Sequence, residues 1–291
     1  MTTSTNNLRK YHNHLVLKNY SKHTQRSYFS VVNSYIDYVS IQSKKEKLSP
    51  QEYATNFILE KHQSGLSWSY VNIIISGLLI YFNQILGLSW DYSSTPRPKM
   101  PKRLPTILTH QEITRLINSI SNPKQQTLII MCYATGLRIQ ELLSLKLTDI
   151  YSDRLHIKVV QGKGNKDRVV VISSSLLALL RLYFKKYRPK KYLFNGMLEE
   201  SKYSSSSVRQ ILKRAAHKAG IKKRVHTHML RHCFATHHLD FGTDIVFIKQ
   251  QLGHKSLNVT AKYLHLSSTR RTEICHPMDQ LDIAYRLQPM A

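Results

Sequence analysis

The stretch from His226 to Leu266 limits how this chain can fold more than any other part of it. His228 and Arg231 are three residues apart, so on a helix they project from one face. The other faces of this helix carry apolar side chains that can anchor it in a core: Met229, Leu230, Cys233 and Phe234. The stretch therefore predicts a helix that is anchored in a core and keeps one polar face.

A glycine and a serine organise the rest of this stretch. Gly253 ends the next apolar run as a helix-capping glycine does, which places His254 at a corner between two helices. Ser256 can then cap a last short helix that carries Val259, Tyr263 and Leu264. Two imidazoles, a guanidinium and a phenol are thus expected to converge. This set suits attack on a phosphodiester, because it offers an anion clamp, proton-handling groups and an oxygen nucleophile.

Each of these residues alone has an ordinary explanation, because the chain contains 17 tyrosines and 15 histidines. A tyrosine at helical spacing is usually packing, and close histidine pairs arise by chance. The combination is more informative. The letters HMLRH, then LGH, then a tyrosine nine positions later resemble the C-terminal signature of the tyrosine recombinases, the phage integrase family.

The charge of the chain points to a polyanionic partner. It has 43 lysines and arginines against 17 aspartates and glutamates, a formal net charge of +26. Such a surplus repels itself unless a polyanion neutralises it, so nucleic acid is the first expected partner and an anionic membrane surface the second. Residues 1–93 hold 9 basic and 5 acidic residues, and residues 94–291 hold 34 and 12. Most of the positive surface is therefore expected in the C-terminal two thirds.

Cysteine usage and hydropathy favour a cytoplasmic protein. The three cysteines show no CxxC spacing and lie in or near apolar stretches, which predicts reduced, mostly buried thiols: Cys132, Cys233 and Cys275. The N-terminus lacks the apolar run of a secretion signal. The most apolar run, Val71 to Leu86, is interrupted by polar residues and is expected to be too short and too polar to span a bilayer. We expect a soluble bacterial protein associated with the nucleoid, without a membrane partner.

Residues 1–93 are expected to form a small helical domain. The predicted helix starts are Ser21 or Thr24, Pro50 and Ser67. Lys22 and Arg26 lie at the first of these starts and could meet phosphate, although a solvated face explains them equally well. The letters NYSKHTQRSYFSVVNSYIDYV resemble the start of the core-binding domain of Xer-type and integron-type integrases. This resemblance implies a SAM-like fold and DNA binding.

A basic, proline-rich segment separates the two predicted domains. Residues 94–105 contain four prolines and four basic residues, among them Arg103, and almost nothing to bury. This composition predicts a semi-extended linker that suits a protein closing around a duplex. The remaining residues, 106–291, are expected to form a mixed α/β catalytic domain. The whole chain is then mainly α-helical, with a small antiparallel sheet.

An arginine follows the glycine that ends a predicted helix. Arg138 is expected one residue inside the next helix, where the positive end of the macrodipole disfavours a purely structural cation. An anion bound there would reverse the penalty and meet free backbone N–H groups. The letters ATGLRIQELLSL resemble the first conserved arginine box of the family, which makes Arg138 a phosphate-clamping arginine. Glu141 matches the acidic residue of that box and is expected to support the arginine.

The clearest β signal is a hairpin with a basic tip. Apolar residues alternate from Leu155 to Val159, QGKGNKD turns the chain, and RVVVI runs back. Gly162 and Gly164 flank Lys163, but the spacing of a nucleotide-binding loop is missing and a tip of this kind is often only solvated. The hairpin resembles the GKGxK hairpin of the family, which implies that Lys163 enters the minor groove as the general acid. Lys166 and Arg168 would then contact the DNA backbone.

A second basic surface is predicted on the helix VRQILKRAAHKAG and just after it. A solvated helix of mixed charge would show acidic residues four positions away, and none is present. We therefore favour a DNA-facing surface over a solvated one. It comprises Arg209, Lys213, Arg214, Lys222, Lys223 and Arg224.

The resemblance implies a complete mechanism. Tyr263 would attack the scissile phosphate and leave a 3′-phosphotyrosyl bond and a free 5′-hydroxyl, with His228 as the candidate base. Arg138 and Arg231 would hold the non-bridging oxygens, and His254 would donate a hydrogen bond to the phosphate. Neither a metal, another cofactor nor ATP is required, because arginines stabilise the charge and the protein–DNA bond conserves the ester energy. The family further implies a homo-tetramer, or a hetero-tetramer with a related recombinase, on two synapsed DNA sites.

Three alternatives stay open at this level. His228 and His232 are four residues apart, as in a zinc helix, although the acid of HExxH is absent. A type IB-like topoisomerase would share the phosphotyrosine chemistry, and a DNA-binding regulator would lack it.

The tail from Ser267 to Ala291 carries enough apolar surface for a short helix, which could dock on its own domain or, as in the family, on a neighbouring protomer.

Overall fold

A computed structural model of the chain describes residues 2–90, 105–160, 167–198, 200–264 and 266. The chain divides into two compact units, an N-terminal unit (Met1–Arg103) and a C-terminal unit (Leu104–Ala291). Four features predicted from the sequence lie outside the described residues: the linker residue Arg103, the hairpin lysines Lys163 and Lys166, and the docking tail.

The N-terminal unit is helical throughout its described part. Its helices are α1 (Thr2–Leu17), α2 (Lys22–Gln42), α3 (Pro50–Gln63) and α4 (Trp68–Ile80), and α4 continues as a π-helical turn over Tyr81–Leu86. Side chains of Ser21, Ser49 and Ser67 accept hydrogen bonds from free N–H groups at the starts of α2, α3 and α4. The serine and proline signals therefore predicted these helix starts correctly.

Helix α1 is an element that the apolar periodicity did not predict. Its sequence is rich in Thr, Asn and His, and few apolar residues stand out in it. Tyr11 and Leu15 are nevertheless fully buried, and the Tyr11 hydroxyl donates to the Gly77 carbonyl on α4 at 2.9 Å. Tertiary packing of a few side chains thus holds a helix that its polar composition conceals.

The apolar helix of this unit is longer than the sequence suggested. Among the described residues, Trp68–Leu86 is the one segment that is long and apolar enough to cross a membrane. The expectation of a run too short to span a bilayer was therefore wrong on length. Its residues Val71, Ile75 and Leu78 are fully buried inside the unit, as in the core helix of a helical bundle.

The C-terminal unit combines eight described α-helices with a small sheet. The helices are α5 (His110–Asn118), α6 (Pro123–Thr135), α7 (Ile139–Ser144), α8 (Ser174–Tyr187), α9 (Ser205–Lys218), α10 (Thr227–Asp240), α11 (Ile245–Leu252) and α12 (Leu257–Ala261). A 3₁₀ turn, Leu147–Asp149, leads from α7 into the sheet. A capping box of Thr109 and Glu112 opens α5.

The sheet has three antiparallel strands in the order β1 (Ile150–Tyr151), β2 (His156–Val159) and β3 (Arg168–Val171). Strands β2 and β3 form the predicted hairpin, in which Ile157 pairs with Val170 and both face the core. Strand β1 is too short to show an alternation, so the sequence did not reveal it. The described chain is thus mainly helical with one small antiparallel sheet, as expected.

Helix α10 connects two cores in the C-terminal unit. Its first half contributes Met229, Leu230 and Cys233 to the main core, which lies around α6, α8, α9 and the sheet. Its second half joins a smaller cluster formed by Phe234, Ala235, Leu239, Ile248, Leu252 and Tyr263. The tyrosine predicted to act as nucleophile is therefore part of a core.

Candidate active site

Arg231 lies at the centre of the candidate site. Helix α10 buries it, leaving 1% of the residue exposed. Its guanidinium donates from Nη1 to the Gly136 carbonyl (2.7 Å) and from Nη2 to the Leu252 carbonyl (2.6 Å). These carbonyls lie at the C-terminal ends of α6 and α11, where the helix dipoles are negative. Two helix ends thus fix a buried positive charge.

Gly136 brings the second arginine to the same place. It caps α6 with φ +60°, and a Cβ atom there would lie 2.7 Å from the Phe234 ring and 2.8 Å from Leu252. Arg138 follows two residues later. It is the residue before the first turn of α7 rather than a residue inside the helix, which corrects the sequence expectation. The position still lies beside the N–H groups of a helix start.

Glu141 holds Arg138 in place, as the sequence predicted for a supporting acid. One carboxylate oxygen accepts from the Arg138 backbone N–H (3.0 Å) and the other from its Nη1 (2.9 Å). Burial opposes the charge of Glu141, but the hydrogen bonds and charge of Arg168, followed by the bonds from Arg138, lower its pKa to about 2. The carboxylate is therefore ionised and shared by two arginines.

Arg168 does not have the solvent-facing position predicted for a DNA backbone contact. Its side chain is 12% exposed, and its guanidinium donates to both oxygens of Glu141 at 3.0 and 2.7 Å. Its Nε donates to the Gln251 carbonyl at 3.1 Å. Three of its five N–H donors are engaged inside the protein, which argues against the predicted backbone contact.

Tyr263 is buried beside these arginines, with 1% of the residue exposed. Helix α12 ends at Ala261, so the tyrosine lies in the following turn and not on the helix as predicted. Its hydroxyl is 2.9 Å from Nδ1 of His232. Burial raises the pKa of the phenol to about 12, and the charges of Arg231 and Arg138 oppose this shift.

His232 is the functional candidate that the sequence reasoning missed. It entered only as a possible zinc ligand, whereas His228 was proposed as the base. In the structure the His228 ring contacts the His232 ring edge to face, 4.5 Å between centroids, and His232 contacts the phenol. Burial, followed by the charge of His228, lowers the pKa of His232 to about 3. The spacing of four residues was the available signal, because it places both rings on one helix face.

His254 occupies the predicted helix corner. Gly253 caps α11 with φ +64°, and Nδ1 of His254 lies 2.9 Å from the Thr260 hydroxyl oxygen. Its ring is nearly parallel to that of Tyr263, with the centroids 6.4 Å apart. Lys262, which the sequence reasoning did not select, places its ammonium 5.0 Å from the centre of the Tyr263 ring.

The electrostatics of this cluster are those of an anion site. Burial first, and then the charges of Arg231 and Lys262, lower the pKa of His228 to about 4. Burial, Arg231 and Arg138 lower that of His254 to about 3. His228 itself keeps an exposed edge. Cations that crowd together without an equal number of carboxylates favour a bound anion such as phosphate.

Comparisons with known proteins place this geometry in a family. Residues 106–270 match the phage integrase family. A tyrosine recombinase XerA from Pyrococcus furiosus is 34% identical over 272 residues, which cover 91% of this chain and 91% of that protein. The chain belongs to the phage integrase family of tyrosine recombinases. It is a site-specific DNA recombinase of the tyrosine type.

Solved structures agree with this assignment. A crystal structure of XerA recombinase is 27% identical, with a TM-score of 0.53, and the match covers 97% of this chain and 100% of that one. A lambda integrase (75–356) dimer bound to a COC′ core site has a TM-score of 0.70 at 18% identity, over 88% and 96% of the two chains. The latter similarity concerns the fold alone.

The basic residues predicted to face DNA divide into two groups in this recombinase. Seven are exposed: Lys22, Arg26, Arg209, Lys213, Arg214, Lys222 and Arg224. Lys223 instead donates to the Glu112 carboxylate (2.7 Å) and to the Ile107 carbonyl (3.1 Å). Its ammonium ties α5 to the loop before α10, which argues against the DNA contact predicted for it.

The zinc alternative finds no further ligand in the described part of the recombinase. His228 and His232 are in contact, but no group of three or more His, Cys, Asp or Glu side chains that could hold a metal occurs among the described residues. His232 is directed at a phenol, which is not a usual zinc ligand.

We expect the thermal stability of the recombinase to fall as the pH is lowered from about 6.5 to 4. His228, His232 and His254 have folded-state pKa values below the unfolded value near 6.5, so the unfolded chain binds more protons in this window. The buried His232 should contribute most to this loss of stability, and the more exposed His228 should contribute least. Unfolding midpoints measured at pH 7.5 and 5.0 test this, with a drop of several degrees expected. Added sulfate should reduce the drop, because an anion in the site raises histidine pKa values, and a midpoint unchanged by pH would contradict the prediction.

Proposed function

We propose that this recombinase cuts and rejoins DNA strands through a 3′-phosphotyrosyl bond to Tyr263, without metal or ATP. The observation that carries the proposal is the convergence of Arg138, Arg231 and His254 around one buried tyrosine. These groups come from four separate segments of the chain, and two guanidinium groups beside a buried phenol are typical of a functional site.

The two arginines are proposed to bind the non-bridging oxygens of the scissile phosphate. Arg231 uses two of its five N–H donors on the Gly136 and Leu252 carbonyls, so the others can reach an anion without a change of rotamer. The Arg138 side chain is 27% exposed, so one edge of its guanidinium can bind the phosphate. A clamp fixed before the reaction stabilises the charge of the transition state at little reorganisation cost.

The nucleophile is proposed to leave its buried position when DNA binds. A phenol with 1% exposure cannot reach a phosphorus atom on a duplex, so the turn after α12 must move outward. In the DNA-free chain Nδ1 of His232 and the phenol hydroxyl share a hydrogen bond, and the His228 ring contacts the His232 ring. His228, the more exposed of the two, is still the proposed base for the displaced phenol.

Two further groups complete the proposed chemistry. His254 lies beside Tyr263 and would donate a hydrogen bond to a phosphate oxygen. Lys163 at the hairpin tip would protonate the leaving 5′-oxygen. Attack then forms the bond between phosphorus and the tyrosine oxygen and breaks the bond to the 5′-oxygen, which leaves as a hydroxyl. The reverse sequence rejoins the strands.

The partners are proposed to be DNA recombination sites and further copies of the chain. The lambda integrase structure contains a dimer on a core site, and a dimer or larger assembly on DNA is proposed here. A tetramer, homomeric or shared with a related recombinase, would synapse two sites. The tail from Ser267 to Ala291 would dock on a neighbouring protomer. We further propose that the protein acts at the nucleoid, because its proposed substrate is DNA.

We also propose a function for each part of the chain. Residues 1–93 would form a SAM-like core-binding domain, residues 94–105 a linker, and residues 106–291 the catalytic domain. Lys22 and Arg26 are exposed and one helical turn apart on α2, so they can contact one stretch of backbone. Arg103, Lys166 and the exposed cations of α9 would extend the contact with phosphates.

A suicide substrate tests the proposal. A duplex recombination site nicked near the cleavage point loses its short 5′-hydroxyl fragment, so the covalent complex cannot be reversed. We expect a protein–DNA adduct in EDTA and without ATP, joined through the peptide that contains Tyr263. An adduct through another residue, or cleavage that requires a metal, would contradict the proposal. Relaxation of plasmids that lack any recombination site would instead support a type IB-like topoisomerase, and site binding without any adduct would support a regulator.

A further inference from the structure

Arg168 connects three parts of the C-terminal unit that the proposed mechanism uses together. It is the first residue of β3 and follows the proposed general acid Lys163 by five positions in the sequence. Its guanidinium bonds to Glu141 on α7 and to the Gln251 carbonyl near the end of α11. A second bond joins the same elements, from the Val171 N–H to the Gln251 side-chain oxygen at 3.1 Å.

The bonds to Glu141 determine how the first clamp arginine is held. Each oxygen of this carboxylate accepts from both arginines: one from Nη1 of Arg138 and Nη1 of Arg168, the other from the Arg138 N–H and Nη2 of Arg168. If Arg138 were its only partner, the carboxylate would neutralise the positive charge that a phosphate needs. With Arg168 present, the three side chains retain one net positive charge, and Arg138 keeps its attraction for an anion.

Arg168 also packs against the end of α11, where Gly253 precedes His254. Gly253 lies against its side chain so closely that a Cβ atom at that glycine would be 2.8 Å from Cδ and 3.0 Å from Nε of Arg168. Gly253 precedes His254 and caps α11. The same side chain therefore touches the supports of both Arg138 and His254.

We infer that Arg168 is a positioning residue for DNA cleavage, which acts through Glu141 and the α11 corner and not by touching a DNA phosphate. The inference rests on the proposed function, because it assigns the arrangement of that site to a residue outside it. Its charge serves the interior of the protein. The arginine should therefore matter for the rate of cleavage and hardly for the salt-dependent affinity for DNA.

The test combines Arg168→Gln, Arg168→Lys and Glu141→Gln with the double variant Glu141→Gln/Arg168→Gln. DNA binding is measured over a range of salt, and adduct formation on the suicide substrate is measured in single turnover at saturating enzyme. We expect Arg168→Gln to slow adduct formation by about 100-fold, with the slope of log affinity against log salt unchanged. Arg168→Lys should also slow adduct formation and leave the salt slope unchanged, because an ammonium cannot bond both oxygens of Glu141 and the Gln251 carbonyl at once. Because the lysine retains the positive charge, this variant provides the test if Arg168→Gln fails to fold.

The double variant tests whether Arg168 acts through Glu141. If it does, the double variant should be about as slow as the slower single variant, whereas independent roles would multiply the two losses. Arg209→Gln on the exposed face of α9 is the matched control for a proposed phosphate contact, and it should flatten the salt slope by about 1.

The inference fails if Arg168→Gln flattens the salt slope as Arg209→Gln does, since that is the behaviour of a phosphate contact. It also fails if both Arg168 variants cleave at the rate of the unchanged protein, or if the losses of the double variant multiply. Failure of the proposed function looks different, because the unchanged protein would then form no adduct through Tyr263 at all.

Discussion

Replacing Tyr263 with Phe should eliminate the covalent protein–DNA adduct while site-specific DNA binding persists. The phenol oxygen is the proposed nucleophile, and its hydrogen-bond partner in the DNA-free chain is the imidazole of His232. We expect the rate of adduct formation to fall by at least about a thousandfold, the scale seen when the atom that forms the bond is removed. The suicide substrate reports the adduct, and a gel-shift titration reports binding.

The same substitution should have a small effect on stability. The lost hydroxyl leaves Nδ1 of the buried His232 without its partner, which costs about 1–2 kcal/mol. Tyr183→Phe is the matched control, because the Tyr183 hydroxyl is buried without a hydrogen-bond partner and its removal should change neither stability nor adduct formation appreciably. Full cleavage by the Tyr263→Phe variant would disprove the assignment of the nucleophile.

Replacing Arg231 with Met should damage both stability and catalysis. The methionine can occupy much of the buried volume but leaves the Gly136 and Leu252 carbonyls without their donors at two helix ends. Each unsatisfied buried carbonyl costs about 1–3 kcal/mol, and relief from the buried charge offsets part of this. We expect a net loss of roughly 2–4 kcal/mol, which corresponds to about 5–15 °C in the unfolding midpoint. Adduct formation should be lost as well, because half of the phosphate clamp is gone.

Two variants separate these effects. Arg214→Met makes the same exchange at an exposed position on α9 and should shift stability by less than about 0.5 kcal/mol. Arg231→Lys keeps the charge, but an ammonium cannot bond both carbonyls in the geometry of a planar guanidinium. Its stability should therefore lie between that of the unchanged protein and that of Arg231→Met, and it should still fail to cleave. An Arg231→Met variant as stable as the unchanged protein would show that the two carbonyl bonds contribute little.

Local chemistry explains which elements the sequence predicted well. Serine caps, proline at a first helical position and glycine after the last one act within a few residues, and they placed the starts of α2 and α3 and the ends of α6 and α11. Alternation from Leu155 to Val159, followed by a turn and the apolar run RVVVI, predicted the hairpin in the same way. Helix α1 and strand β1 were missed, because a few buried side chains or two paired residues leave no periodic signal.

Motif spacing and composition were enough to predict the membership in the family, the residue types of the site and the strong positive charge, since they are properties of the chain alone. The contacts of each side chain followed from the tertiary structure. It turned Arg168 and Lys223 inward to carboxylates and placed His232, rather than His228, against the phenol. The physical reason is that a charged or polar side chain near a core must find a partner, and partners come from elements far away in sequence. Arg168, Lys223 and His232 therefore take their roles from contacts with Glu141, Glu112 and Tyr263, which local spacing could not predict.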